Sequence, residues 1–227
     1  MILQSMPTTL TPSTLLAQAA NPNAARPQPP QVVQALLDIE RAAKHPRPTL
    51  AVEALLGEWR LRFTAPNKPA YKSGEPIGKG FYWPALTPGT IRFSRPATPS
   101  AVAGPAASTS NPSGSDTPTL DDASVDTPAP ECLTIENQVQ IGPLALRFSG
   151  PAKFLAKQNL LAFDFVQLQV VVGRIALLKM PIKGRVGADH FPSTPIAKLP
   201  FFAFFAATDQ YLAARGRGGG LALWVKT

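Results

Sequence analysis

The side chains that most often carry out catalysis or bind metals are few in this chain. The 227 residues include two histidines, His45 and His190, and one cysteine, Cys132. Both histidines stand next to prolines or proline-containing segments that should be loops, and neither belongs to a carboxylate or nucleophile pattern. A structural zinc site needs about four ligands, and a single cysteine allows no disulfide within the chain. The sequence therefore predicts no catalytic residues, no metal and no cofactor.

Two glycine-rich segments could be mistaken for ligand-binding motifs. Gly74–Gly80 (GEPIGKG) contains a proline and lacks the hydroxyl residue that phosphate-binding loops carry after the lysine. Arg215–Gly220 (RGRGGG) could be an RNA-binding Arg-Gly-Gly motif. A single copy between two strand patterns, however, is typical of a glycine hairpin turn. Nucleic acid is therefore not an expected partner.

Charge is distributed unevenly along the chain. From Pro96 to Leu146 there are six acidic residues and no lysine or arginine. The remainder holds all 22 basic residues and the other 8 acidic ones, a net charge of +14 against +8 for the whole chain. A folded part this basic attracts polyanions or a membrane rich in anionic lipid. Leu160–Val172, the longest apolar stretch, falls short of the ~18 apolar residues that span a bilayer, so we expect a soluble or peripheral protein.

The N-terminal part of the chain divides into a leader and a helical segment. Residues 1–30 contain six prolines and no acidic residue. We expect them to be a disordered leader, with a plastid-targeting peptide as the alternative. From residue 31 to residue 44, apolar side chains recur at helical spacing and form one stripe (Val32, Leu36, Ile39, Ala43). Pro46 should end this helix, and Thr49 can cap a second short helix that runs through Leu55.

From Gly57 onward, apolar residues alternate with polar ones. In Glu58–Phe63 the residues Trp59, Leu61 and Phe63 share one face, and the charged residues share the other. Similar patterns occur at 91–94, 133–136, 144–148, 153–156, 163–165, 168–172, 174–178, 201–207 and 221–226. About eight to ten short strands predict a mainly β fold, a lipocalin-like antiparallel β-barrel preceded by one or two N-terminal helices. Such a barrel can hold one apolar ligand or be filled by its own side chains, and the sequence leaves both open.

A proline-rich segment interrupts the strand pattern. Pro96–Pro130 contains seven prolines and no aromatic residue, so it cannot bury enough apolar area to offset the entropy of ordering it. The free energy of loop closure grows only logarithmically with loop length, so a long insertion is tolerated. We expect residues 31–227 to form one domain with a disordered insert at about 96–131.

Three segments of the chain form a recognisable series. Leu55–Thr64 (LLGEWRLRFT) matches a Leu-x-Gly-x-Trp-x-Leu-x-Tyr-Thr strand except for Phe63, and Leu160–Pro181 is an apolar strand pair. Asp209–Lys226 combines an acidic turn, an Arg-Gly pair, a glycine turn and an apolar strand. In order and spacing these segments resemble the plastid lipid-associated protein (fibrillin) family. Leu212 stands where that family usually has an arginine.

The resemblance implies roles for individual residues. Gly57 and Trp59 are similar to the Gly-x-Trp that opens lipocalin-like barrels, where the tryptophan closes one end beneath an arginine, here Arg215 or Arg217. Asp209 and Arg215 could pair across the terminal hairpin. The residues expected to have structural roles are Gly57, Asp209, Arg215 and Gly216. Those expected to line an interior ligand cavity are Trp59, Phe63, Phe93, Phe148, Phe163, Phe165 and Phe204.

A membrane contact is expected beside the segment Phe201–Phe205, which is aromatic on both faces of its strand. This strand could be buried inside by the barrel core and outside by helices. Alternatively, Phe201 and Phe205 could enter lipid beside a basic loop. The basic residues that would take part are Lys179, Lys183, Arg185 and Lys198.

The family that the chain resembles associates with thylakoids and plastid lipid globules. The resemblance implies a non-enzymatic, peripheral lipid-binding protein of a plastid or cyanobacterial cell. Its partners would be membrane lipids or a hydrophobic small molecule such as a prenyl quinone. Two alternatives stay open: a soluble carrier that delivers one hydrophobic ligand to an enzyme, and a lipocalin-like bilin lyase.

Overall fold

The computed structural model describes residues 10–45, 48–96, 130–182, 186 and 190–227. In these residues two helices, α1 (Pro12–Ala20) and α2 (Pro29–Ala42), precede thirteen strands. The strands are β1 (Gly57–Ala65), β2 (Ala70–Lys72), β3 (Glu75–Ile77), β4 (Phe81–Tyr82), β5 (Gly89–Ser94), β6 (Glu131–Ile141), β7 (Leu144–Leu155), β8 (Leu160–Phe163), β9 (Gln167–Val172), β10 (Ile175–Pro181), β11 (Phe201–Ala207), β12 (Tyr211–Gly216) and β13 (Leu221–Lys226). Most of the predicted insert, together with Lys183 and Arg185, lies outside the described residues.

Eight strands close into an antiparallel barrel. Their order is β1, β5, β6, β7, β8, β11, β12 and β13, and β13 pairs back onto β1. In that closing pair Trp59 stands opposite Lys226 and Ala65 opposite Leu221. Closure leaves no unpaired edge in the ring itself. The predicted fold class, a lipocalin-like barrel preceded by helices, is confirmed.

The barrel interior is packed with apolar side chains from all eight of its strands. They include Trp59, Ile91, Phe93, Leu133, Ile135, Ala152, Phe154, Leu161, Phe163, Phe204, Leu212, Ala214 and Trp224. The 3₁₀ turn Val52–Ala54 and the following Leu55 lead into β1 and pack against the same core, so they cover one end, the closed end. Trp59 is 0% exposed there and donates a hydrogen bond from Nε1 to the Leu55 carbonyl at 2.8 Å. The closed half of the barrel is therefore filled by its own side chains.

A second apolar core lies outside the barrel, between its wall and the two helices. Leu16 of α1 and Leu36 of α2 are both fully buried against the outward side chains of β1 and β13, such as Phe63 and Leu223. The helices thus cover part of the outer wall, and their burial supplies the apolar contact that a surface helix needs.

Helix α1 corrects the prediction of a disordered leader over residues 1–30, which is wrong from residue 10 on. Thr11 caps the helix by accepting a hydrogen bond from the Thr14 backbone N–H at 3.3 Å, and Pro12 occupies the first helical position. A helix of 9 residues is marginal on its own in water. It is stabilised here by burying Leu16, Ala19 and Ala20, which the local sequence does not reveal.

A β-bulge moves Phe63 out of the barrel interior, where the period-two pattern had placed it. Leu61 stands opposite Trp224, but Phe63 stands opposite Leu223, so Arg62 is an extra residue in β1. One extra residue transfers the following side chains to the other face of a sheet. Phe63 therefore packs beneath the helices, in the outer core.

Strand β7 pairs with two different strands along its length. Its second half, Ala152–Leu155, pairs with β8 and completes the ring. Its first half, Leu144–Ser149, pairs with β9, and β9 pairs with β10. The β9–β10 hairpin therefore extends the barrel wall as a projecting flap. Within the described chain, β10 has a strand neighbour on one side only.

Candidate functional site

A row of phenylalanine rings leads from the barrel interior toward the flap. The ring centroids of Phe202 and Phe163 are 5.0 Å apart, and those of Phe163 and Phe165 are 5.1 Å apart. Phe165 is in turn 5.9 Å from Phe148 on β7. Phe163 is buried, whereas Phe165 and Phe148 are partly exposed. The row thus connects the filled interior with the molecular surface.

The row continues as an apolar sheet face on the flap. Phe148 stands opposite Leu168 of β9, which stands opposite Met180 of β10. Directly opposed residues of neighbouring strands lie on the same face, so the inner face of the barrel continues onto the flap. Asn137 of β6, which stands opposite Phe148, is a polar residue on this face. The remaining members of this open face are Val139, Ile141, Leu144, Leu146, Val170, Val172, Ile175 and Leu178.

The open face stays exposed to solvent at its outer edge in the described structure. Ile175 is 68% exposed, Leu178 46% and Met180 39%. On the opposite face of the same strands the side chains are largely polar, and Arg147 of β7 donates a hydrogen bond to Gln138 of β6 at 3.0 Å. The flap is thus amphipathic, and its apolar side is the one continuous with the barrel interior. Contiguous exposed apolar surface of this kind is typical of binding sites.

Six of the seven residues predicted to line a cavity lie inside the barrel or in the aromatic row: Trp59, Phe93, Phe148, Phe163, Phe165 and Phe204. Phe63, on the outer wall, is the exception. Trp59 and Phe93 are buried in the filled half. Only Phe148 and Phe165 are placed where a ligand could reach them without displacing core side chains. A ligand against these residues remains a prediction.

The two phenylalanines predicted to contact lipid differ in how far protein covers them. Phe205 is buried in the outer core that the helices form with the barrel wall. Phe201 is partly buried against Phe191 and Leu199, which belong to the segment before β11. Phe205 is therefore not available to lipid in this structure, whereas a membrane contact at the partly exposed Phe201 stays a prediction. The predicted membrane-contact bases Lys179 and Lys198 are exposed.

The polar residues of the terminal hairpin pair differently from the prediction. Lys226 rather than an arginine lies over Trp59, with Nζ 5.2 Å from the ring centroid. Arg215 pairs with Glu40 of α2 and not with Asp209, and Arg217 donates to the Leu199 carbonyl at 2.9 Å. Gly57 has a φ of +115°, which favours glycine, and the Gly216 N–H donates to the Gly220 carbonyl in the hairpin turn.

Among the residues that the structure describes, no three histidine, cysteine, aspartate or glutamate side chains come together in a way that could hold a metal ion. None of the described helices is long and apolar enough to cross a membrane. Comparisons of the chain with protein-family models, with curated proteins and with solved structures find no match. Membership of the fibrillin family therefore stays a prediction, and the resemblance rests on the three sequence segments.

Proposed function

We propose that this chain is a non-enzymatic lipid-binding protein that holds the apolar part of a lipid or prenyl quinone against the open face. The observation that carries the proposal is the continuity of the barrel's inner apolar face with the exposed flap through Phe165 and Phe148. Covering such surface with hydrocarbon is favourable by about 25 cal/mol per Å². Because side chains fill the closed half of the barrel, a ligand would reach the aromatic row and not the interior beyond it.

The flap also has the composition of a peripheral membrane contact. Ile175 and Leu177 are 68% and 64% exposed, with Arg174 and Lys179 beside them. No acidic residue occurs between residues 165 and 182. Each base near an anionic membrane contributes about 1 kcal/mol, so two bases alone bind weakly. Insertion of the apolar side chains would supply the rest, and a lipid could then pass between the membrane and the aromatic row.

The localisation that the resemblance implies is a thylakoid membrane or a lipid globule, in a plastid or in a cyanobacterium. This part of the proposal rests on the three fibrillin-like segments. The lipid-binding part rests on the geometry of the open face, so the two can be tested separately.

The role of the open face can be tested by comparing substitutions on the two faces of strand β10. The double variant Leu178→Gln/Met180→Gln makes the open face polar, and Ala176→Gln on the opposite face of β10 is the matched control. All three residues are exposed, so folding should be unaffected. Binding of decylubiquinone is followed by quenching of tryptophan fluorescence, and membrane binding by co-sedimentation with phosphatidylcholine vesicles with and without phosphatidylglycerol.

We expect the wild type and Ala176→Gln to bind quinone and vesicles alike, and the double variant to bind both at least tenfold more weakly. Equal binding by the double variant and the wild type would reject the open face as the site. Quinone binding without vesicle binding would favour the soluble carrier, and a bilin extracted with the native protein would favour the lyase.

A further inference from the structure

A second surface with the make-up of a binding site lies on the outer wall of the barrel. A groove of about 930 Å³ runs between α1, with the turn that follows it, and the strands β1 and β13. Four cationic side chains line this basic groove: Arg26, Arg60, Arg62 and Lys226. Asp209 is the one acidic side chain among the described residues that line it.

Two of the four cations, Arg62 and Arg26, contact neutral groups. Arg62 donates from Nε to the Ala19 carbonyl at 3.0 Å and from Nη2 to the Asn21 carbonyl at 3.4 Å, both at the end of α1. Arg26 and Arg62 each lie 5.4 Å from the centre of the Tyr82 ring.

The four cations of the groove form no ion pair with another residue that the structure describes. In the described part of the chain, no carboxylate lies within 4.0 Å of any of the four cations. Burial, followed by repulsion from Arg26, lowers the pKa of Arg62. The groove thus concentrates positive charge that an anion would neutralise.

The dimensions and lining of the groove indicate the class of anion. Guanidinium groups bind phosphate and similar oxyanions through paired hydrogen bonds. A volume of about 930 Å³ is that of a small-molecule site and is far larger than one phosphate ion needs. Ala17, Ala20 and Val225 add an apolar part to the lining. We propose that the basic groove binds a small organic molecule that carries a phosphate or similar oxyanion.

The basic groove is separate from the open face. Lys226, one of its cations, lies over Trp59 at the closed end of the barrel, whereas the open face begins at the other end of the aromatic row. The proposal therefore does not rest on lipid binding at the flap. The same oxyanion occurs in free phosphate esters and in phospholipid headgroups, and the experiment must distinguish these sources.

The test uses the full chain and the variants Arg60→Gln and Arg26→Gln, both of exposed residues. Arg62 is left unchanged because it also holds α1. Arg92→Gln is the matched control, since Arg92 is an exposed arginine on β5 outside the groove. Titration calorimetry measures the affinity for glycerol 3-phosphate and for inorganic phosphate. Co-sedimentation measures binding to phosphatidylcholine vesicles with and without phosphatidic acid.

We expect glycerol 3-phosphate to bind more tightly than inorganic phosphate, because only the ester has an organic part that can contact the neutral lining beside the cations, such as Gln18 and Asn21. Each groove variant should weaken binding at least tenfold, and Arg92→Gln should not. Loss of phosphatidic acid binding in Arg60→Gln, without binding of the free ester, would identify a headgroup as the source. The proposal is overturned if neither glycerol 3-phosphate nor phosphatidic acid vesicles bind, or if the groove variants and Arg92→Gln behave alike. The double variant Leu178→Gln/Met180→Gln should still bind glycerol 3-phosphate as the wild type does, which separates this result from that for the open face.

Discussion

At the residue scale, Arg215 joins three parts of the fold. Its Nε and Nη2 donate to the two carboxylate oxygens of Glu40, each at 2.5 Å, and tie β12 to helix α2. Nη2 also donates to the Pro69 carbonyl at 3.1 Å, and Nη1 donates to the Gly219 carbonyl. Paired, charge-assisted hydrogen bonds between partly buried groups contribute more to stability than exposed ion pairs do.

We predict that Arg215→Met lowers the free energy of unfolding by about 2 kcal/mol, because the Glu40 carboxylate is left partly buried without its partner. The control is Arg95→Met, since the Arg95–Glu53 pair is 60% and 65% exposed. That change should cost less than about 1 kcal/mol. Urea denaturation measures both variants. Equal losses would show that the Arg215 pair contributes no more than a surface contact.

At the scale of single elements, helix α2 is part of the hydrophobic core although it lies outside the barrel. Leu36 is 0% exposed between the helix and the barrel wall, whereas Gln34 on the same helix is exposed. We predict that Leu36→Ala costs about 2–5 kcal/mol of stability, as buried leucines elsewhere do. Gln34→Ala should change stability by less than about 0.5 kcal/mol. Chemical denaturation, monitored by circular dichroism, gives both values. An unchanged free energy of unfolding in Leu36→Ala would mean that the helix contributes little to the hydrophobic core.

How well the sequence predicted each element depended on whether neighbouring residues alone determine it. The stripe in α2 and the alternation in β13 are local patterns, and both elements were predicted. The bulge at Arg62 is set by pairing with β13, far away in the sequence, so alternation placed Phe63 on the wrong face. Helix α1 depends on burial of Leu16 against the rest of the fold, and its own composition resembles that of a disordered leader.

At the scale of the whole molecule, the barrel needs only a short connection between β5 and β6. These strands are neighbours in the ring, with Ser94 opposite Thr134. We predict that deletion of Pro99–Pro130 leaves the fold intact and the Tm equal or slightly higher, because a shorter loop costs less closure entropy, about 0.6 kcal/mol per halving of its length. Differential scanning calorimetry measures the Tm. Aggregation of the shortened protein would contradict the prediction and show that the segment covers part of the folded surface.

The candidate sites were less predictable than the fold because each depends on which surfaces remain uncovered. Leu160–Pro181 was predicted to be an apolar strand pair, but its alternation does not show that the outer strand has a single neighbour. The basic groove needs α1 on one side and the bulged Arg62 on the other, and neither was predicted. Phe201 and Phe205 were assigned to lipid because their sequence cannot show that the helices bury Phe205 and that the segment before β11 packs against Phe201.

The pairing of β1 with β13 has a consequence for biosynthesis. Thr64 and Leu221, which share a hydrogen bond in that pair, are separated by 157 residues. A ribosome that adds 5–20 residues per second needs on the order of ten seconds to cover that distance. Until then one edge of β1 has no partner, and contacts of such long sequence separation form slowly even in the finished chain. The free edge of β1 is open to pairing with other strands throughout this interval, so the yield of native protein depends on conditions during synthesis as well as on the stability of the closed barrel.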